Sequence, residues 1–244
     1  MLMNTNLPVK RKIRQEDFWI GLSDLMTSLM MIFLLISVIY MIKVQAMVKI
    51  PTIYKETLQG LGLALQKEFK NDLPKWKATI DNDLTVRFQE PEMMFDTNSA
   101  ELKPHFKAIL DDFFPRYMLI MSDPKYINNI EEIRIEGHTS TVWKVGTTQQ
   151  NAYFKNMELS QARTRSTLEY IMTTPIVSST PASFNWLKQH VRAIGFSSAM
   201  PLDHAGKLVI SAEQLEDPVR SQRVEFRVRT TVEKQISDIV ENQK

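Results

Sequence analysis

The sequence predicts an α+β protein: a single N-terminal transmembrane helix, then one domain in which helices pack on one face of a mixed sheet. Three observations carry this prediction. Residues 18–42, FWIGLSDLMTSLMMIFLLISVIYMI, form an apolar run with no Lys or Arg. Downstream, segments of alternating apolar residues interleave with segments of helical spacing in the order β-β-α-β-α-β-β, as in a layered sheet-and-helix domain. A chain of 244 residues accommodates one such domain and one span.

The span comes first. Twenty-five residues rising about 1.5 Å each reach roughly 37 Å, enough to cross a hydrocarbon core of about 30 Å. Lys10, Arg11, Lys12 and Arg14 precede it, and only Lys43 and Lys49 follow closely. That bias places residues 1–17 in the cytoplasm and the rest of the chain across the membrane. In a bacterium this is a single-pass inner-membrane protein with a periplasmic domain. Trp19 and Tyr40 sit near opposite ends, where interfacial aromatics belong. A cleaved signal peptide and a buried soluble helix are the alternatives, but signal cores run to only about 7–15 apolar residues.

The span contains one acid, Asp24. A carboxylate in hydrocarbon costs roughly 2.5–3.5 kcal/mol on insertion scales, so it is kept for a partner, a proton or an ion path. Thr27 and Ser28, three and four residues on, share its side of the helix, and Ser23 flanks it. This polar patch belongs against partner helices or water, and Asp24, Thr27 and Ser28 are the candidate ion-translocation group. The alternative is that Asp24 only glues helices together.

Residues 43–75 read as a connector. Ile53, Leu58, Leu61, Leu65 and Phe69 have helical spacing, weakened by Gly60 and Gly62. The segment is open to three roles: a coiled helix, a channel plug, or part of the domain's packing. Pro74 marks the boundary of a domain over 76–231, followed by a tail at 232–244. A hairpin turns at Asp81-Asn82-Asp83, with Leu84, Val86 and Phe88 alternating. Residues 100–121 carry the helical stripe Leu102, Phe106, Ile109, Leu110 and Phe113. Residues 130–136 form a strand. Residues 157–172 form a helix for which Asn156 is a plausible cap. Residues 190–196 and 223–229 complete the sheet, the last with Val224, Phe226 and Val228 facing inward and charged residues on a wet face.

Composition narrows the function. A net charge of +2 implies no nucleic-acid partner, and the absence of Cys removes disulfides and thiol chemistry. There is no nucleophile–base pair, cofactor fingerprint or metal-ligand run, so neither an enzyme, a cofactor nor a metal site is expected. His138 reads as a structural loop residue, because its neighbours offer no metal-ligand partners at short spacing. The insert over 141–155 reads as a surface loop, with Asn151, Tyr153 and Asn156 as candidate groove residues.

Four groups of residues carry a family resemblance. They are Phe95-Asp96-Thr97-Asn98-Ser99-Ala100-Glu101-Leu102; Ile133-Arg134-Ile135-Glu136-Gly137-His138-Thr139-Ser140; Leu159-Ser160-Gln161-Ala162-Arg163-Thr164; and Gly195-Phe196 with Ser221-Gln222-Arg223-Val224-Glu225-Phe226. Their order and spacing resemble the OmpA-like peptidoglycan-binding domain over about residues 76–230. In that family an Asp after the GHT strand and an Arg on the LSxxRA helix hold the charged ends of a diaminopimelate stem peptide. Arg163 matches the Arg. The Asp position is Ser140, and the family's Asn-Arg-Arg becomes Ser221-Gln222-Arg223. The resemblance thus implies a wall-binding site of Arg163, Ser140, Asn156, Leu159 and Arg223. The alternatives are that Arg163 pairs with Glu158 or Asp217 and only stabilises its helix, and that Arg223 is structural.

Phe18-Trp19-Ile20 followed by Asp24-Leu25-Met26-Thr27 is similar to the membrane signature of MotB-type stator subunits. Within that class, Gly137-His138-Thr139-Ser140 in place of GHTD, with the helix NMELSQARTRSTLEYI over 156–171, looks most like the ZorB branch, from Zorya anti-phage defence systems. The resemblance implies two copies of this chain inside five copies of a polytopic MotA- or ZorA-like partner. The translocated ion would be H+, with Na+ as the lesser alternative. A flagellar stator subunit and a purely structural wall tether are the other functions open at this point.

Overall fold

The computed structural model describes residues 15–231 apart from 180 and 212. The basic cluster before the span and the tail from 232 lie outside the described residues. The chain divides into two compact units between Ile50 and Pro51.

The first unit holds the beginning of helix α1 (Gln15–Phe69). Within it, Phe18–Gln45 is long and apolar enough to cross a membrane, at 28 residues or about 42 Å. Every side chain of that stretch is exposed except Ser37, which is half-buried. A buried core helix of a soluble domain would be covered by its own chain. This one presents Phe, Leu, Ile and Met on all sides, as a lipid- or partner-facing helix does.

The second unit contains the end of α1, then α2 (Leu73–Trp76), β1 (Ala78–Ile80), β2 (Val86–Phe88), α3 (Pro91–Met94), α4 (Pro104–Met121), β3 (Ile130–His138), α5 (Gln149–Thr173), α6 (Pro175–Ser178), α7 (Pro181–His190), β4 (Val191–Gly195), α8 (Pro218–Ser221) and β5 (Arg223–Thr230). The strands form one mixed sheet in the order β1-β2-β5-β3-β4. Only β3 and β4 are parallel, and the chain between them crosses over through α5 and α7. The last strand, β5, inserts between β2 and β3.

One face of the sheet carries the core. Phe88 and Phe226 meet Phe113 of α4 edge-on at 5.3 and 5.2 Å, and Phe113 packs against Phe69 of α1 at 5.2 Å with the rings tilted by 46°. Leu61, Leu65 and Phe69 are fully buried in this cluster. Thus, of the three roles open to the connector segment, its part from Thr57 to Phe69 takes domain packing. Arg116 of α4 clasps it from outside, donating to Glu68 at 2.7 Å and Asp72 at 3.0 Å. α5 lies so close to β3 and β4 that a Cβ on Gly137 would stand 2.7 Å from Ser160 O, and one on Gly195 2.5 Å from Gln161 N. Those two glycines of the sequence motifs are therefore contact surfaces for a helix backbone.

Three expectations need correction. α5 starts at Gln149, so the insert is a loop only over its first half. Its cap is Thr148, whose hydroxyl accepts from Asn151 N–H at 3.3 Å. Asn156 instead lies about two turns inside the helix. The charged face of the sheet is not wet throughout: Glu136, His138, Arg223 and Glu225 are all buried. The segment after β4 folds over them, with Phe196 stacked on His138 at 5.1 Å and Met200 O accepting from Arg223 Nη1 at 3.1 Å.

Candidate functional site

The end of β3 and the middle of α5 form one wall of a pocket of about 320 Å³. Ser140, Asn156, Leu159 and Arg163 all line it. The Phe95–Leu102 segment supplies the opposite wall through Thr97 and Asn98. Asn98 holds φ 57°, a left-handed turn position that Asn tolerates. Asn156 Nδ2 donates to Ser140 O at 3.0 Å, which ties the loop after β3 to the helix.

Arg163 is 5% exposed. Its Nε donates to Ser99 O at 2.9 Å and its Nη2 to Asp96 O at 3.2 Å. The guanidinium also lies 4.9 Å over the Phe95 ring. The Phe95–Ser99 motif is thus a cradle of backbone carbonyls and an aromatic face for this one cation. No carboxylate among the described residues pairs with it. Glu158 pairs with Lys155, and Asp217 caps α8 and pairs with His204. Burial pulls the Arg163 guanidinium down to about 10. Buried charges are normally paired. An uncompensated cation at a pocket wall is therefore a place for an anionic ligand group, and a carboxylate matches its fork.

No acid lines the pocket, and its second cation is Lys144. Near Ser140 the acidic group is Glu216, which accepts from Thr141 N–H at 3.1 Å and from the Thr141 hydroxyl. Lys144, Trp143 and Glu216 were missed in the sequence. The signal was there for the first two: a Trp and a Lys in the insert directly after the GHTS strand. Asn151 and Tyr153 do not line the pocket.

Arg223 does not line it either. It is on the opposite face of the sheet, where its Nε donates to Glu225 at 2.6 Å and its Nη1 to Ser221 O at 3.0 Å. His138 is the last residue of β3 rather than part of a loop. It has ligand-type neighbours after all: Glu136, two residues earlier on the same strand face, and Glu225 on the adjacent strand.

In the first unit, Asp24, Thr27 and Ser28 are exposed along one side of α1. Thr27 Oγ1 donates to Ser23 O at 2.8 Å, so that hydroxyl is satisfied within its own helix. The Asp24 carboxylate forms no ion pair among the described residues.

The chain is 42% identical over 237 residues to the Zorya protein ZorB of Escherichia coli, covering 95% of each protein. Among solved structures, a putative MotB-like protein from Desulfovibrio vulgaris is 22% identical and covers 74% of this chain and 96% of its own, with a TM-score of 0.43. The cell wall anchor of the T6SS from Pseudomonas aeruginosa is 18% identical and covers 68% and 96%, with a TM-score of 0.42. No protein-family model matches the chain.

Proposed function

Since this chain belongs to the ZorB family of Zorya proteins, we propose that it is the wall-anchored, ion-driven stator subunit of an anti-phage defence complex. The observation that carries this reading is Asp24, the one carboxylate in the apolar span Phe18–Gln45, with Thr27 and Ser28 on its side. Two copies of the chain stand inside five copies of a polytopic ZorA-like partner, with the amino end in the cytoplasm. Protons, rather than sodium ions, reach Asp24, which alternates between charged and neutral. Each charge crossing a potential of 100 mV releases about 2.3 kcal/mol. That energy biases which partner helix the carboxyl faces, and the ring steps around the pair.

Torque needs a fixed point. The periplasmic domain provides it by binding peptidoglycan at the Arg163 pocket, where the buried guanidinium takes a free stem-peptide carboxylate. Ser140 leaves the site without the acid that would neutralise a neighbouring ammonium, and the reading is accordingly of a carboxylate anchor. The chain carries no catalysis in this scheme.

The test is Asp24→Asn in cells expressing the whole defence operon. Phage-plating protection is expected to vanish while the membrane complex is recovered in normal amount. Undiminished protection would reduce the chain to a passive tether.

A further inference from the structure

The charged face of the sheet buries a cluster that the wall-binding pocket does not use. Glu136 of β3 and Glu225 of β5 are directly opposite each other in the register. Both are buried, and like charges facing across a strand pair repel. His138 is 2% exposed, and neither ring nitrogen has a hydrogen-bond partner. Its Nε2 is aimed between the two carboxylates, 3.7 Å from Glu136 Oε2 and 3.6 Å from Glu225 Oε2. The three ligand atoms lie within 4.8 Å of one another.

The carboxylates of Glu136 and Glu225 share the guanidinium groups of Arg87, Arg223 and Arg227. Both oxygens stand off from Nε2 at nearly the spacing of ligands around a small ion. Zinc bonds of about 2.0–2.1 Å in tetrahedral geometry put neighbouring ligands roughly 3.3–3.5 Å apart.

We propose that Glu136, His138 and Glu225 bind one divalent cation of the zinc class. Imidazole with carboxylates suits such an ion, and the fourth position takes water. Arg87 and Arg223 both grip Glu225 Oε1, at 2.7 and 2.6 Å, which leaves Oε2 for the metal and fixes its aim. Phe196 holds the imidazole plane. Arg227 competes: it approaches Glu136 Oε2 at 3.3 Å and Glu225 Oε2 at 3.5 Å, and its side chain, 30% exposed, would have to turn outward for the ion to enter. Thr139, Ser140 and Gln222, which line the pocket, directly follow or precede the strand ends that the cation joins. The ion would thus brace the pocket floor from behind.

The test uses the tag-free full-length chain in detergent, stripped with a chelator and dialysed against Zn2+. Elemental analysis is expected to give one zinc per chain, with a raised unfolding midpoint. X-ray absorption is expected to show nitrogen and oxygen ligands near 2.0–2.1 Å. Glu136→Gln and His138→Gln should each lower occupancy at least tenfold at the same free zinc, and Arg227→Gln should raise affinity. Occupancy below about a tenth of an ion per chain, an oxygen-only shell, or unchanged binding in both ligand variants overturns the site. If the ligand variants fail to fold, the wild-type occupancy and spectrum, with the Arg227→Gln shift, decide alone.

Discussion

Arg163→Met separates an anchoring cation from a merely structural one. Methionine keeps an unbranched apolar stem against Phe95 and removes the charge. The fall of the guanidinium to about 10 corresponds to about 3 kcal/mol of penalty for holding that charge in the folded domain. The substitution recovers this. It loses charge-assisted bonds to Ser99 O and Asp96 O, at about 1.5–3 kcal/mol each, and a ring contact of about 0.5–1 kcal/mol. Losses of about 3.5–7 kcal/mol against about 3 recovered leave folding stability lower by about 0.5–4 kcal/mol. Ligand binding has no such compensation. Removing one partner of a desolvated carboxylate pair costs about 2–5 kcal/mol, or roughly 30- to several-thousand-fold in affinity. Co-sedimentation with isolated sacculi and thermal unfolding, run on the same preparation, read the two effects. Undiminished sedimentation would refute the reasoning. So would a stability loss well beyond about 4 kcal/mol that alone accounts for the lost binding.

The Asp24→Asn plating test is joined by three further predictions. Ser140→Asp restores an acid to the pocket and should strengthen binding of a diaminopimelate stem peptide about tenfold or more, as one charge-assisted bond would; titration calorimetry measures it, and no change places the ammonium elsewhere. Gly195→Ala drives a Cβ to 2.5 Å from the Gln161 backbone nitrogen and should cost about 1–3 kcal/mol in denaturant unfolding. The Asp72 carboxyl is held below its ordinary range by hydrogen bonds, first from Lys75 and then from Arg116. A carboxyl lowered by folding stabilises the domain above its unfolded pKa of about 3.9 and loses that contribution as pH falls from there through the lowered folded value. The unfolding midpoint should therefore drop below about pH 4, and less steeply in Asp72→Asn; equal slopes would show that the Lys75 and Arg116 bonds to Asp72 are idle.

Much of this architecture was legible because it is local. A run of apolar residues long enough to span a bilayer announces itself without any tertiary information, and so does the lone acid within it. The faces of β5 follow from a period of two, and Val224, Phe226 and Val228 do turn to the core. Arg163 was legible through its motif, although its partners were not: Ser99 is 64 residues away and offers a carbonyl, which every residue has.

What sequence reading could not reach depends on which strands become neighbours. β5, last in the chain, enters the sheet between β2 and β3 and so brings Glu225 opposite Glu136 and beside Arg87. Alternation says only that these charges share a face; the overlying segment from Phe196 turns that face from a solvated one into a buried one. The end of α1 joins the core for the same reason. Helical spacing shows an apolar stripe, and only the packed domain shows that Phe113 of α4 is what covers it.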